Sequence, residues 1–309
     1  LGGTSTQTGY VTHASAVPPL TQTTAPTVSG HTLNATGSWS QRGSDIDGEA
    51  TSDWVGYGQG GTAITMSSDG NSIVVGAPYN DGNGSNSGHV RVYDWNGSGW
   101  VKRGSDLDGD AAGDRFGNSV ALSSNKNSLI IGSRLHDNVR GHVKIFHWNG
   151  TAWVQRGSDI DGEQTLGSSG ETVAMSNDGD TIAIGAPTNN GASGTDSGHV
   201  RVFDWNGTAW IQRGSDIDGE NAWDSSGVSL SMSANGNTIS VGSLSNDDNG
   251  TNSGHVRVYD WNGSGWIQRG SDIDGDQQGD IAGDVSISDD GDTIAIGASG
   301  HASASGNNA

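Results

Sequence analysis

The segment 198–220, GHVRVFDWNGTAWIQRGSDIDGE, decides the fold. It holds an alternating β-branched run from His199 to Phe203, then Asn206-Gly207, then a second short run from Trp210. Asn-Gly between two such runs is a strong hairpin signal, because a type I′ turn needs positive φ at both central residues. The segment therefore predicts two antiparallel strands joined by a two-residue turn. Near copies stand at 88–110, 141–163 and 254–276.

Two further strands precede each copy. A loose SxDGxxIxIGA pattern, with an Asp-Gly turn such as Asp178-Gly179, predicts a second hairpin ahead of the first. The pattern surrounds Gly76, Gly132, Gly185, Gly242 and Gly297. A closing string, RGSDIDGE or a near copy, begins at Arg42, Arg103, Arg156, Arg213 and Arg269, with spacings of 61, 53, 57 and 56 residues. Four antiparallel strands, repeated at such a period, are typical of β-propeller blades.

The two chain ends read as halves of one blade. The last unit begins at 280 and loses the pattern by 300, while residues 30–43 keep Gly-His at one end and a Trp-x-Gln-Arg ending at the other. We expect an all-β, five-bladed β-propeller of four-stranded antiparallel blades, closed by N-terminal strands that join the C-terminal blade. The predicted domain is 30–300, with blades at about 53–104, 114–157, 167–214, 224–270, and 280–300 plus 30–43.

A competing interpretation starts from Gly300-His301, which also looks like the beginning of a third strand. The C-terminus would then complete its own blade, and the N-terminal strands would pair with a neighbouring molecule. Head-to-tail strand donation of this kind builds filaments. Residues 301–309 are the predicted tail.

Residues 1–29 form a separate arm, rich in Thr, Ser and Pro, without a charged residue. Such a composition is typical of a flexible or O-glycosylated linker. The other interpretation is a docking arm, in which 10–17 lie as an extended strand on a partner or on another copy of the chain.

Composition limits the function classes. Of 309 residues, 52 are Gly and 31% are hydrophobic, and the net charge is −21. So acidic a chain is a poor partner for nucleic acid, and no apolar run approaches the roughly 20 residues of a membrane span. The absence of Cys excludes disulfide, zinc-thiolate and cysteine-nucleophile chemistry.

The segments 113–124 (GDRFGNSVALSS) and 73–78 (IVVGAP) resemble the FG-GAP repeats of integrin α-subunit propellers and related surface proteins. The Phe-Gly pair is kept at Phe116-Gly117, and Gly-Ala-Pro at Gly76 and Gly185. The resemblance implies an extracellular recognition or scaffold module. It does not carry over the family's calcium loop between strands one and two, because that loop is a tight turn such as 68–71.

The strings that begin with Arg-Gly-Ser-Asp (the RGSD strings) continue as DxDxExxxD or a variant. Ca²⁺ takes roughly six to eight oxygen ligands, and alternate acidic residues around a Gly turn can converge on one ion. The alternative is that these Asp cap turns and pair with the Arg of their own string. The candidate ligands are Asp45, Asp47, Glu49, Asp53, Asp106, Asp108, Asp110, Asp114, Asp216, Asp218, Glu220, Asp224, Asp272, Asp274, Asp276 and Asp280. The third string has Asp159, Asp161 and Glu163, but Gly167 at the last position.

Aromatic and histidine positions also recur. A Trp pair straddles each predicted hairpin, as at Trp205 and Trp210, which favours packing between blades over a ring of sugar-stacking platforms. Trp54 and Trp223 break the repeat and are the predicted ligand contacts. The histidines that open strand three are expected to tie a loop to a neighbouring strand. They are His89, His142, His199 and His255.

Several Asn residues start an N-x-S/T sequon and are candidate glycosylation sites. The tip residues among them are equally explained by turn chemistry. The sequons begin at Asn34, Asn83, Asn96, Asn149, Asn206, Asn249 and Asn262.

No nucleophile elbow, His-Glu-x-x-His string or P-loop occurs in the chain. Near-identical repeats favour multivalent binding or scaffolding over one catalytic site. We therefore expect a protein that is not an enzyme and requires no cofactor, with Ca²⁺ as the candidate ion. The expected role is a structural or adhesive subunit of a fibre or coat on a cell or virion surface, with a protein or glycan partner. The alternative is a multivalent, calcium-dependent lectin.

Overall fold

The computed structural model describes residues 40–58 and 62–301. These residues form four five-stranded antiparallel sheets and one two-stranded sheet, in chain order. The architecture is a β-propeller type, as the repeat predicts. The arm 1–29, residues 30–39 with Asn34, and residues 302–309 lie outside the described part, so the predictions for them stay predictions.

In each full sheet the first four strands pair with their sequence neighbours, and the short fifth strand pairs with the third. The first sheet contains β1 (Ile64–Met66), β2 (Ser72–Ala77), β3 (His89–Trp95), β4 (Trp100–Lys102) and β5 (Leu107–Asp108). The second contains β6 (Ser119–Leu122), β7 (Ser128–Ser133), β8 (His142–Trp148), β9 (Trp153–Gln155) and β10 (Ile160–Asp161). One helical turn, α1 (His136–Val139), lies between β7 and β8.

The remaining sheets repeat the order. The third contains β11 (Thr172–Met175), β12 (Thr181–Ala186), β13 (His199–Trp205), β14 (Trp210–Gln212) and β15 (Ile217–Asp218). The fourth contains β16 (Ser229–Met232), β17 (Thr238–Ser243), β18 (His255–Trp261), β19 (Trp266–Gln268) and β20 (Ile273–Asp274). The last contains β21 (Ala282–Ile287) and β22 (Ile294–Ala298).

The fourth strand of each sheet is interrupted by its RGSD string. In the third sheet, β14 pairs with the end of β13 and β15 pairs with its beginning. The backbone between them leaves the ladder at Gly214, where φ is +81°. The interruption turns Arg213 and its neighbours away from their own sheet and towards the next one.

The predicted two-residue type I′ turn is wrong. Trp205 pairs with Trp210, so the loop has the four residues 206–209. Asn206 Oδ1 accepts the backbone N–H of Thr208 and Ala209, each at 2.9 Å. This side-chain turn holds Asn206 outside the left-handed region and leaves positive φ to Gly207. The longer loop makes Trp205 and Trp210 register partners, which a two-residue turn would not do.

The core lies between successive sheets. Ile130 and Ile145 of the second sheet pack with Ile182 and Ile184 of the third, all essentially inaccessible to solvent. The recurrent glycines allow this approach: a Cβ on Gly185 would overlap the carbonyl oxygen of Gly227 in the next sheet. The Gly of the GAP-like segment and the Gly of the FG-like segment therefore meet across each junction, and no larger residue fits there.

The two ends of the row of sheets are uncovered among the described residues. Ile64 and Met66 of β1 are 51% and 57% exposed, whereas Val120, at the register of Ile64, is buried. Strand β22 alternates half-buried and exposed residues, whereas β12 is buried throughout. A Cβ on Gly56 would meet no atom within 4 Å. The described residues form an open row, and five closed blades remain a prediction.

The suggestion that His301 opens a third strand is wrong. Its backbone N–H donates to Ala298 at 3.2 Å, as that of Asn80 does to Ala77 at 3.1 Å. His301 Nδ1 lies 3.1 Å from Asp280, and Asn80 Nδ2 donates to Asp53 at 3.2 Å. His301 therefore occupies the register of Asn80, in the loop after strand two, because its ring replaces the amide that holds the buried carboxylate.

Candidate functional site

The RGSD strings fasten each sheet to the next. The guanidinium of Arg156, in the second sheet, lies over the rings of Trp205 and Trp210 of the third sheet, at 4.7 and 5.4 Å from their centroids. Its carbonyl accepts the Nε1–H of Trp210 at 2.8 Å. Its Nη1 donates to the carbonyl of Gly179 in the same neighbouring sheet, also at 2.8 Å. The arrangement combines cation–π contacts with hydrogen bonds, so the junction is polar as well as apolar.

The same contacts recur along the chain. Arg42, Arg103 and Arg213 lie over the Trp pair of the following sheet, and Arg269 donates to Gly291 of the last sheet, where the described residues include no such pair. The prediction that the Trp pairs pack between blades is confirmed at these junctions. The prediction that Asp pairs with the Arg of its own string is wrong, because that Arg points to the next sheet.

The last acidic residue of a string is a loop cap. Asp224 is 2% exposed, and its Oδ2 accepts the N–H of Asn221 at 2.9 Å and the amide of Asn246 at 3.3 Å. A carboxylate held by such donors fixes the loop backbone. The equivalent positions, Asp53, Asp114 and Asp280, are also buried and accept loop N–H groups. The four acidic side chains of one string therefore do not converge on one point.

Acidic residues of successive strings meet instead at the histidine of strand three. In the third sheet, His199 lies with Glu163 from the preceding string and Asp216 from its own. The second Asp of the string, Asp218, is the register partner of the same histidine. Equivalent groups are Glu49, His89 and Asp106; Asp110, His142 and Asp159; and Glu220, His255 and Asp272 with Asp248. The spacing of one string does not reveal these sets, because their members come from two repeats.

A basic residue two positions after the histidine reaches into all four of these groups, including Arg257, whose Nη1 lies 3.4 Å from Glu220. Arg91 forms a two-pronged hydrogen bond to Asp106, 3.0 Å from each oxygen, and an ion pair with Glu49. The hydrogen bond from Arg91 lowers the pKa of Asp106 to about 2. Lys144 lies 2.5 Å from Asp110, and Arg201 lies 3.7 Å from Glu163.

Burial keeps the strand-three histidines neutral. Loss of hydration lowers the pKa of His199 to about 4, against the opposing charge of Asp216. The pKa values of the three equivalent imidazoles are lowered for the same principal reason. The prediction that these residues tie a loop to a neighbouring strand by hydrogen bonds is wrong at His142 and His255, because neither ring nitrogen of either residue has a hydrogen-bond partner among the described residues.

The two predicted contact tryptophans differ in setting. Trp54 is 49% exposed but packs against Tyr79, with ring centroids 4.8 Å apart, and edge-on against Tyr57. Trp223 is 62% exposed and has φ of +73°, in the left-handed region. Gly113 and Gly279 stand at its position in other units. Trp223 is therefore an indole presented to solvent in a backbone conformation that favours Gly.

Sequons fall into two groups. Asn83 Nδ2 donates to the carbonyls of Gly109 and Asp110, and Asn249 makes the equivalent bonds, so these amides tie loops together. The tip residues use Oδ1 as the acceptor and have no hydrogen bond from Nδ2 within the described part of the chain. They are Asn96, Asn149, Asn206 and Asn262, all exposed.

Open grooves lie beside the Trp pairs. One of about 570 Å³ between the first two sheets is lined by Trp95, Trp148, Arg103, Asp94 and others. Two smaller ones, of about 330 and 360 Å³, combine an RGSD string with Tyr93 and Trp100 or with their counterparts in the fourth sheet. Aromatic and charged groups thus recur together at the surface. Among residues 40–58 and 62–301, no helix has the length and apolar character to cross a membrane.

No protein-family model matches this chain, and no curated protein matches its sequence. Solved structures with a similar fold include Kuenenia stuttgartiensis hydrazine synthase, 15% identical with a TM-score of 0.49 over 75% of this chain and 70% of that one. The Pseudomonas aeruginosa periplasmic gluconolactonase is 15% identical, with a TM-score of 0.46 over 75% and 63%. The β-propeller domain of the Trilobed protease from Pyrococcus furiosus is 8% identical, with a TM-score of 0.40 over 67% and 57%.

These likenesses concern the fold. They correct the prediction that the chain is not an enzyme, because two of the similar proteins are a lactonase and a synthase by name. A propeller of repeated sheets is thus compatible with enzymes, and repetition alone was not a sound reason to exclude catalysis. The FG-GAP relationship remains a resemblance in residues, and the chain is similar to β-propellers in fold.

Proposed function

We propose that this chain is an exported β-propeller that serves as a structural and adhesive building block at a cell or virion surface. One observation carries the proposal: the same Arg–Trp contact joins the first four sheets in series, so the molecule presents near-identical faces. Equivalent faces suit multivalent attachment and assembly, because linked weak contacts reinforce one another. The net charge of −21 favours solubility at high protein density.

The ring is closed by residues 30–43, which supply strands three and four of the last blade. Arg42 supports this step, since it lies 4.5 Å over Trp95 and its carbonyl accepts Trp100 Nε1–H at 2.9 Å. At the other junctions, the Arg equivalent to Arg42 directly follows strand four of the preceding sheet. The sheet that lacks a fourth strand is the last one, and its Gly297 has no neighbouring-sheet partner among the described residues.

A cysteine pair tests closure, because the chain has no native Cys. Aligning His31 with His199 places Leu33 opposite Ile296, as Arg201 lies opposite Ile184. Leu33→Cys with Ile296→Cys should form an intramolecular disulfide on mild oxidation, seen as a faster non-reduced monomer band. Leu33→Cys with Ser98→Cys at a hairpin tip is the control and should stay reduced. Intermolecular ladders would instead establish strand donation between copies, and failure to cross-link would refute both arrangements.

The surface role is tested on native material. We expect fractionation to place the protein outside the cell or on the virion, and electron microscopy to show repeated units. The exposed tip residues, Asn96, Asn149, Asn206 and Asn262, should carry glycans if the source glycosylates exported proteins. Residues 1–29 supply the self-association contact, so their deletion should leave folded monomers. A cytoplasmic, persistently monomeric full-length protein would contradict the proposal.

A multivalent lectin is the second candidate, favoured by the recurring grooves beside the Trp pairs. An aromatic face can pack on the apolar face of a pyranose, while Asp and Arg bind its hydroxyl groups. A glycan array separates the two candidates. Saturable sugar binding supports the lectin, and absence of binding to any glycan together with ordered fibres supports the structural role.

A further inference from the structure

The junction between the third and fourth sheets contains a buried histidine without hydrogen bonds. His255 is 0% exposed, and neither ring nitrogen has a hydrogen-bond partner. Its Nδ1 lies 3.8 Å from Glu220, 3.9 Å from Asp272 and 4.0 Å from Asp274. These distances are too long for hydrogen bonds. The imidazole therefore faces several carboxylate oxygens and forms no hydrogen bond with any of them.

A further carboxylate distinguishes this junction. Asp248 lies 4.0 Å from His255 Nδ1 and stands where the first and third sheets have Gly82 and Gly191. A Cβ on Gly191 would come within 2.8 Å of Asp218 Oδ1, so a side chain at this position points at the acidic string. The substitution thus adds a negative charge to an already acidic group.

No described cation offsets all of this charge. At the first junction Arg91 bridges both carboxylates, and at the second Lys144 lies beside Asp110 and Asp159. Here Arg257 donates Nη2 to the carbonyl of Asp218 at 2.8 Å and approaches only Glu220, at 3.4 Å. Oδ1 of Asp274 is buried without a hydrogen bond. Four carboxylates surround one guanidinium and a buried imidazole.

The surroundings of Asp272 also suit a metal ion. Gln268 holds the other oxygen of Asp272 at 2.5 Å, which orients that carboxylate. A divalent cation would offset the negative charge of the carboxylates that gather around His255 Nδ1.

We propose that Glu220, Asp248, His255 and Asp272 bind one divalent first-row transition-metal ion, such as Mn²⁺ or Zn²⁺. One ligand atom from each residue lies within 4.8 Å of all the others. The set joins two successive RGSD strings, so the ion fastens the third sheet to the fourth. An imidazole nitrogen among three carboxylates suits these ions better than Ca²⁺, which prefers oxygen ligands.

Direct metal binding by the full chain is the test. Titration with Mn²⁺ and Zn²⁺, followed by calorimetry, should give one tight site, and Co²⁺ should produce visible absorption bands from a nitrogen-containing site. Asp248→Gly, which restores the residue of the sister units, should weaken the binding at least tenfold without unfolding the protein. Glu49→Gln at the first junction is the matched control and should leave the binding unchanged, because Arg91 already occupies that group.

Three outcomes would overturn the site: equal affinity in the wild type and Asp248→Gly, binding of Ca²⁺ alone, or no binding of these ions. His255→Gln provides a second readout, since it should abolish the Co²⁺ absorption bands. If that variant does not fold, the Asp248→Gly comparison still decides.

Discussion

Trp210 donates its Nε1–H to the carbonyl of Arg156 at 2.8 Å, while the guanidinium of the same arginine covers its ring. The partners lie 54 residues apart and belong to adjacent sheets. Arg156 thus contacts Trp210 twice, once through its backbone carbonyl and once through its guanidinium. The RGSD string is the element that converts a sequence repeat into a stack of sheets.

Arg156→Ala should lower the free energy of unfolding by about 2 kcal/mol, because it removes two cation–π contacts and the hydrogen bond to Gly179. Arg156→Lys should recover only part, since an ammonium lacks the planar donor set. Urea unfolding measures both. Arg269→Ala is the control, with a smaller expected loss, because its side chain is 41% exposed, against 16% for Arg156, and no Trp pair of the described part of the chain covers it. Equal losses at the two positions would contradict the assigned role.

Gly185→Ala should prevent folding or cost at least about 3 kcal/mol, because the added methyl group would overlap the backbone of Gly227. Gly265→Ala is the control: a Cβ there meets nothing within 4 Å, and Ala152 and Ala209 occupy its position in other units. Thermal unfolding of the two variants provides the comparison. A stable Gly185→Ala protein would refute the close approach of the two sheets.

Stability should fall as the pH drops from 6.5 towards 4. The unfolded chain binds a proton at His199 below pH 6.5, whereas the folded protein resists it until about pH 4. The stability that comes from keeping His199 unprotonated is fully present above pH 6.5. On the order of 3 kcal/mol of it is lost as the pH falls from 6.5 to 4. The charge of Asp216 opposes this lowering of the His199 pKa, and the charge of Arg201 reinforces it.

Chemical denaturation at several pH values tests this dependence. His199→Gln should reduce the slope of the stability curve between pH 6.5 and 4 without abolishing it, because three equivalent buried histidines remain, whereas His147→Gln, at an exposed position, should leave the slope unchanged. An unaltered slope in the His199 variant would show that the acid sensitivity arises elsewhere.

Trp223→Gly should leave the protein as stable or make it more stable by up to about 1 kcal/mol, because Gly adopts φ of +73° without strain. The same variant should lose binding to the native glycan or protein partner, since it removes the exposed indole. Urea unfolding and a cell- or glycan-binding assay measure the two effects. A marked loss of stability would instead assign Trp223 a packing role.

Sequence determined the repeat, the all-β class and the strand order, because alternation, β-branched residues and Asn-Gly or Asp-Gly turns are local signals. The Trp pairing did not follow, because the predicted two-residue turn would set Trp205 opposite Thr208, whereas the four-residue loop sets it opposite Trp210. The turn type did not follow, because Asn206 Oδ1 competes for backbone N–H groups in a way that the dipeptide alone does not reveal.

Only the tertiary structure decided which acidic residues meet. The Asp and Glu residues of one string are close together in sequence, but they have different environments. Asp224 is buried and caps its loop, whereas Glu220 lies next to His255 of the following sheet. It likewise showed that His301 replaces an Asn in a loop rather than opening a strand. Contacts between repeats depend on how two sheets approach, and near-identical local sequences do not specify which repeat supplies each partner.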